Sequence, residues 1–207
     1  MALGTVIRSF AAPTVGPWGL DWNGARLLVN TTVAPVSMYW VNPVTGTSTR
    51  SLVMPGGTRS IAFDGHSLWA GSTVGGGLIY YIDSITGTIV RSFASPDAQP
   101  NGMTWDGRCL WVCGDATARI FQVNPVTGTV IRSFAAPAGT PNGLVFTGNE
   151  LWSVDNNRNI SELDIITGTV KRSFTAPATN PRSICWDGCT LWHTSATTNL
   201  IYQIAVN

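Results

Sequence analysis

One seven-residue phrase, Gly-Thr-Val-Ile-Arg-Ser-Phe, begins at Gly4 and returns in variant form at 46–52, 87–93, 128–134 and 168–174. The steps between copies are 42, 41, 41 and 40 residues. A unit of this kind cannot bury its apolar face alone and must stack on its neighbours, and a period of about 40–45 residues is the length of one four-stranded propeller blade. Five copies fill nearly all of the 207 residues. The expected fold is therefore all-β: one five-bladed β-propeller over 1–207, with blades near 14–54, 55–96, 97–137, 138–177 and 178–207, the last completed by 1–13.

Within each unit, four β-prone runs are separated by turn chemistry, with no helical period. Strand a ends in an aromatic at Trp22, Phe63, Trp105, Phe146 and Trp186, followed by Asn23-Gly24, Asp64-Gly65, Asp106-Gly107, Thr147-Gly148 and Asp187-Gly188. Such dipeptides accept positive φ and favour tight two-residue hairpins, which would set Cys189 opposite Trp186. Strand b carries Leu-Trp at 68–69, 110–111, 151–152 and 191–192, with Leu27-Leu28 in the first unit. Strand c carries Tyr39, Tyr80, Phe121 and Tyr202, and in the first unit runs into Asn42-Pro-Val-Thr-Gly46; strand d is the Arg-Ser-Phe segment. The Leu, Trp and Phe rows recur in every unit, so they read as core between sheets rather than as an aromatic ligand site. The chain starts on strand d and finishes on strand c. Residues 5–10 are thus expected to supply the missing strand beside 201–204 and close the ring.

These units carry a resemblance. Blades of the form Pro-x-Gly-x-x-Trp-Asp-Gly-x-x-Leu-Trp followed by Asn-Pro-Val-Thr-Gly-Thr-Val resemble those of YVTN/NHL-type propellers of bacteria and archaea, and of the streptogramin-lyase-like family, over the whole length. The resemblance implies blade type and fold. Streptogramin lyases are expected to have seven blades and to use His and Glu with a divalent metal. With five blades, two His and two Glu, that activity does not carry over.

Composition narrows the partners. Hydrophobic residues make up 44% of the chain and there are nine Trp, ample for a core without metal or disulfide. Only 11% of residues are charged, against about 25% in an ordinary domain, and Lys171 is the single lysine. The surface is then mostly Ser, Thr, Asn and Gly, a skin that leans toward an extracellular or particle-surface setting. A net charge of +1 offers no footprint for nucleic acid, and no apolar run is long enough for membrane insertion. Because the repeat begins by Gly4, no signal peptide is expected in this sequence. Cys109, Cys113, Cys185 and Cys189 form two C-x3-C pairs. Residues four apart on a strand lie about 13 Å from each other, beyond the roughly 7 Å a disulfide spans, and the spacing does not suit zinc. All four are expected to be unlinked, with no metal or cofactor.

The a–b and c–d turns are nearly constant, while the d–a and b–c connections differ between units. Binding in repeat proteins concentrates where repeats differ. Just before strand a, the equivalent positions Trp18, Arg59, Asn101, Asn142 and Arg182 are expected to ring the mouth of the central channel, where an aromatic, two guanidinium groups and two amides would suit a small polar ligand, a carboxylate or a sugar. A second set, Arg8, Arg50, Arg91, Arg132 and Arg172, falls on the outermost strand and reads as edge protection, each stem covering the neighbouring Phe. Enzymatic groups are sparse. His66 falls in an a–b turn and His193 in a strand b. The acids outside the repeat turns, Asp21, Asp97, Asp115 and Asp155, are read as coming from different blades, with Glu162 the one Glu that could approach the variable face. No catalytic residue is assigned. The expected function is a non-catalytic binding or scaffold propeller recognising a glycan, a small polar ligand or a protein partner through the d–a and b–c face. The alternatives are a small hydrolase or lyase, and a self-associating structural subunit.

Overall fold

The computed structural model describes residues 1–137 and 139–206, with the backbone alone for Arg50. Ala138 and Asn207, at boundaries of the expected fourth and fifth units, lie outside the described residues. After β1 (Val6–Ala11), one sheet holds β2 (Pro17–Trp22), β3 (Leu27–Thr31), β4 (Ser37–Val41) and β5 (Ser48–Val53). The next holds β6 (Thr58–Phe63), β7 (Ser67–Ser72), β8 (Leu78–Asp83) and β9 (Ile89–Ala94), with a single 3-10 turn at Val74–Gly76 between β7 and β8. The third holds β10 (Pro100–Trp105), β11 (Leu110–Gly114), β12 (Arg119–Val123) and β13 (Val130–Ala135), and the fourth β14 (Pro141–Phe146), β15 (Glu150–Asp155), β16 (Asn159–Asp164) and β17 (Val170–Thr175). The fifth is β18 (Pro181–Trp186), β19 (Leu191–Ser195) and β20 (Leu200–Ile204), with β1 on its outer edge. Each sheet is an antiparallel meander, and together they form a five-bladed propeller.

The strands that open each sheet, β2, β6, β10, β14 and β18, pack on one another in turn, and β10 reaches β2 across the ring, so they surround a narrow axis. Small residues make this possible: a Cβ on Gly143 would lie 2.6 Å from Ser183 Cα. Apolar clusters fill the seams between blades. Successive residues on a strand face opposite ways, so in each Leu-Trp pair the Leu faces the preceding blade and the Trp the following one. Trp69 packs with Leu110, Trp152 with Leu191 and Trp192 with Leu27, all at most 3% exposed.

The ring closes through β1. Phe10 pairs with Ile201 and Ala11 with Leu200. Just beyond, Gly4 N donates to Ala205 O and Ala205 N to Thr5 O, both at 2.9 Å. Those bonds repeat the pattern of an intact c–d turn, where Gly46 N donates to Asn42 O and Asn42 N to Thr47 O. The two termini thus rebuild between them the turn that is continuous in the other blades.

Two local expectations need correction. The a–b hairpins are wider than two residues: Trp186 pairs with Leu191 and Cys185 with Trp192, so Cys189 sits in a four-residue loop instead of opposite Trp186. The cause is the Asp side chain, whose Oδ1 accepts from both Cys189 N (2.8 Å) and Thr190 N (2.7 Å) and so stabilises an Asx loop. The Arg-Ser-Phe arginines also do more than cover their Phe. The guanidiniums of Arg91, Arg132 and Arg172 lie 5.0–5.4 Å from the ring centres of Trp69, Trp111 and Trp152 in their own blades. Trp69 and Trp111 also donate Nε1 to the turn residues Asp64 (3.0 Å) and Asp106 (2.7 Å). This repeated Asp–Trp–Arg stack is structural. All four cysteines are free thiols, three of them buried and Cys189 exposed.

Candidate functional site at the channel mouth

Trp18, Arg59, Asn101, Asn142 and Arg182 are each the second residue of an inner strand. In every blade the a–b ladder is irregular there: Thr58 pairs with Ser72 and Ser60 with Gly71, leaving Arg59 without a partner, and the same break falls between Pro100/Gly102, Pro141/Gly143, Pro181/Ser183 and Pro17/Leu20. A bulge of this kind bends the strand and re-aims one side chain, and bulges concentrate at barrel rims and binding sites. The side chain re-aimed by each bulge is the one that differs from blade to blade.

The five positions behave differently. Asn101 and Asn142 are 1% and 3% exposed and their amides are engaged. Asn142 donates to Pro181 O (2.8 Å), tying the fourth blade to the fifth, while Asn101 accepts from Arg59 Nη1 (3.0 Å) and donates to Asp115 Oδ2 (3.3 Å). Arg59 Nη1 also donates to Gln99 Oε1 at 3.0 Å. Trp18, Arg59 and Arg182 remain partly exposed. Arg182 reaches Trp18 from the preceding blade, its guanidinium carbon 3.8 Å from the ring centre, and Arg59 reaches it from the following blade at 4.7 Å. The mouth thus holds one tryptophan with two cations against its ring. Burial lowers the Arg182 pKa and the nearby Arg59 charge lowers it further, with Asp115 acting in the opposite sense. Among the described residues, Trp18 Nε1 and Arg182 Nε are buried without a hydrogen-bond partner.

Support comes from residues that the sequence reading set apart. Asp97 and Asp115 belong to one blade, not to different ones. Buried Asp97 accepts from Gln99 N (2.8 Å), Ala116 N (3.2 Å) and Thr117 N (2.9 Å), binding the d–a loop to the b–c loop and so placing Gln99 beside Arg59 and Asp115 beside Asn101. Elsewhere several candidate catalytic groups are already engaged. Glu162 pairs with Arg172, Glu150 with Lys171 at 2.6 Å, and fully buried His193 is held neutral by desolvation, its pKa lowered to about 4. Among the described residues no group of three or more His, Cys, Asp or Glu comes together for a metal ion, and no helix is long and apolar enough to cross a membrane. Two cavities lie on the opposite, constant-turn face. One of about 450 Å³ is lined by Asp106, Arg108, Gln122 and Val126, and one of about 150 Å³ by Asn23, Trp40, Phe63 and Ile85.

Asp21 is a further outlier on β2. Its Oδ2 accepts from Phe63 N of the next blade at 2.6 Å, and burial raises its pKa to about 7 against the lowering effect of backbone hydrogen bonds. In the unfolded chain the carboxyl ionises near pH 4. Stability is therefore unaffected by this group below about pH 4, falls as the pH rises from 4 to 7, and stays reduced above 7. Asp21→Asn keeps the acceptor and removes the charge. The expected result is a Tm raised by about 3–6 °C at pH 8, equivalent to ~1–2 kcal/mol, and little changed at pH 4. Thermal melts at the two pH values check this, and an offset equal at both would refute the burial account.

No protein-family model matches the chain, and no curated protein matches it. Solved structures do. The glutaminyl cyclase of Myxococcus xanthus superposes with a TM-score of 0.81 at 13% identity, over 97% of this chain and 95% of that one. The PQQ-bound aldose sugar dehydrogenase of Streptomyces coelicolor gives 0.62 at 14% identity over 98% of both chains. A chain of a nidogen/laminin complex gives 0.63 at 16% identity, over 92% of this chain and 76% of that one. The chain is thus similar in fold to propeller proteins.

Proposed function

We propose that this propeller is a binding module whose ligand seats on Trp18, Arg59 and Arg182 at the channel mouth. One observation carries the reading: two guanidinium groups are held against a single tryptophan, and the hydrogen bonds of Arg59 go to neutral amide oxygens rather than to a carboxylate. Bringing like charges together in a partly desolvated rim costs stability, and such costs collect at functional sites. Of the ligands open to this face, a small polar one fits best. A neutral sugar would need an open aromatic face, and guanidiniums already lie over the Trp18 ring. A protein partner would be held in the same way if it presented an acidic group to the mouth.

The test is a screen of small polar compounds by thermal shift, followed by calorimetry on Trp18→Ala/Arg182→Ala. Loss of the ring and of a charge-assisted donor is worth about 2–4 kcal/mol, so affinity should fall roughly thirtyfold to a thousandfold, measured at a temperature where the variant's own melt shows it folded. An unchanged affinity would place the function elsewhere. Catalysis at the same mouth is the alternative reading, for which the M. xanthus glutaminyl cyclase, similar in fold, suggests a reaction to assay and Asp115 is a carboxylate at hand. A direct assay for glutaminyl cyclisation, with Asp115→Asn as control, separates the two readings.

A further inference from the structure

We infer that the group this mouth is built to take is a singly charged carboxylate, an inference that rests on the mouth being a binding site. On Trp18 and Arg182 the unsatisfied groups are of one kind. Trp18 Nε1 and Arg182 Nε are donors with no acceptor among the described residues, where the Arg182 side chain makes no hydrogen bond. An indole N–H and a guanidinium donate and cannot accept, so what completes them must bring acceptors. A ligand rich in donors, such as an amine, would leave both groups orphaned and add a third positive charge.

Charge sets the number. Arg59 and Arg182 give two positive charges, and Asp115, which lies close enough to act on Arg182, gives one negative. Among the charged groups that act on Arg182, one positive charge is left uncompensated. One carboxylate neutralises it and presents two planar oxygens to the planar guanidinium fork, the geometry Arg recognises best. A dianion would bring a second negative charge toward Asp115. The same count disfavours sulfate and doubly ionised phosphate, although both carry acceptors. Two guanidiniums already lie against the Trp18 ring, so the ligand is held through donors instead of by stacking on that ring.

The test uses the whole ¹⁵N-labelled chain and follows two resonances, the Nε–H of Arg182 and the indole N–H of Trp18, assigned with Arg182→Lys and Trp18→Phe. Acetate, its neutral isostere acetamide, and sulfate are titrated at constant ionic strength. Acetate is expected to move both resonances with a Kd of about 1–50 mM, as befits so small a ligand. Acetamide should move neither, and sulfate should bind several-fold more weakly than acetate. Arg182→Gln should weaken acetate at least tenfold. If that variant melts differently from the parent, Arg182→Lys carries the comparison, with an intermediate Kd expected because charge is kept and the fork is lost. Equal responses to acetate and acetamide, or no response to acetate, overturn the inference. Should acetate fail while a neutral compound from the screen moves Trp18, the carboxylate inference falls and the binding site stands. If acetate moves only resonances on the constant-turn face, both fall.

Discussion

A variant beginning at Pro13 is expected to lose cooperative folding and aggregate. β1 is the outer strand of the last sheet, and its five paired positions cover the hydrogen-bonding edge of β20. Phe10 packs 5.9 Å from Trp192 in the seam that joins the last blade to the first, and Leu3 packs on the seam between the fourth and fifth. Removing these residues opens two seams as well as an edge. Phe10 is half-buried, so its loss costs somewhat less than the ~3–5 kcal/mol of a fully buried Phe, but it is lost together with the strand pairing, against a total stability of about 5–15 kcal/mol. A freed, apolar strand edge also invites pairing between molecules. Size-exclusion chromatography and a thermal melt check the outcome, and a synthetic peptide of residues 1–12 added in trans should restore part of the melting transition. A monomeric variant with an unchanged melt would show that the ring does not depend on this strand.

The second large effect is expected at Gly128. Its φ is +73°, and a Cβ there would lie 2.7 Å from Phe93 Cδ2 of the preceding blade. Gly128→Ala therefore meets both a left-handed backbone penalty of about 1–2 kcal/mol and a clash with a seam aromatic worth about 1–3 kcal/mol more. The control is Gly107, with φ +92° and nothing within 4 Å of its Cβ position. Gly107→Ala should cost the backbone term alone. Denaturant midpoints for the pair separate the two contributions, and equal losses would mean that the c–d turn glycines serve the turn and not the packing between blades.

The fold was legible because the repeat states it five times: strand order, turn residues and closure all follow from comparing one unit with the next. What depends on geometry across blades was not. The bulge at Arg59 and its equivalents leaves no mark in composition, since it arises where the inner strand leaves its ladder to border the axis. Asn101 and Asn142 read as loop amides over a channel. The structure shows them buried and spent on Asp115, Arg59 and Pro181 O, because the prolines before them already begin the inner strand. The stacking of Arg182 on Trp18 spans nearly the whole chain and exists only because the ring closes. The hairpin register around Asp187 was misjudged because a side chain that caps two backbone N–H groups makes a four-residue loop as favourable as a tight one.

The most direct test of the proposed binding mouth is to watch all nine tryptophan indole N–H signals of labelled protein while ligands from the screen are titrated. The two faces of the propeller carry different reporters: Trp18 lies at the mouth, whereas Trp40 lines a cavity on the constant-turn face. Binding at the mouth predicts that a true ligand moves Trp18 and leaves Trp40 in place. Movement of Trp40 with Trp18 unchanged would contradict it and would assign binding to the opposite face.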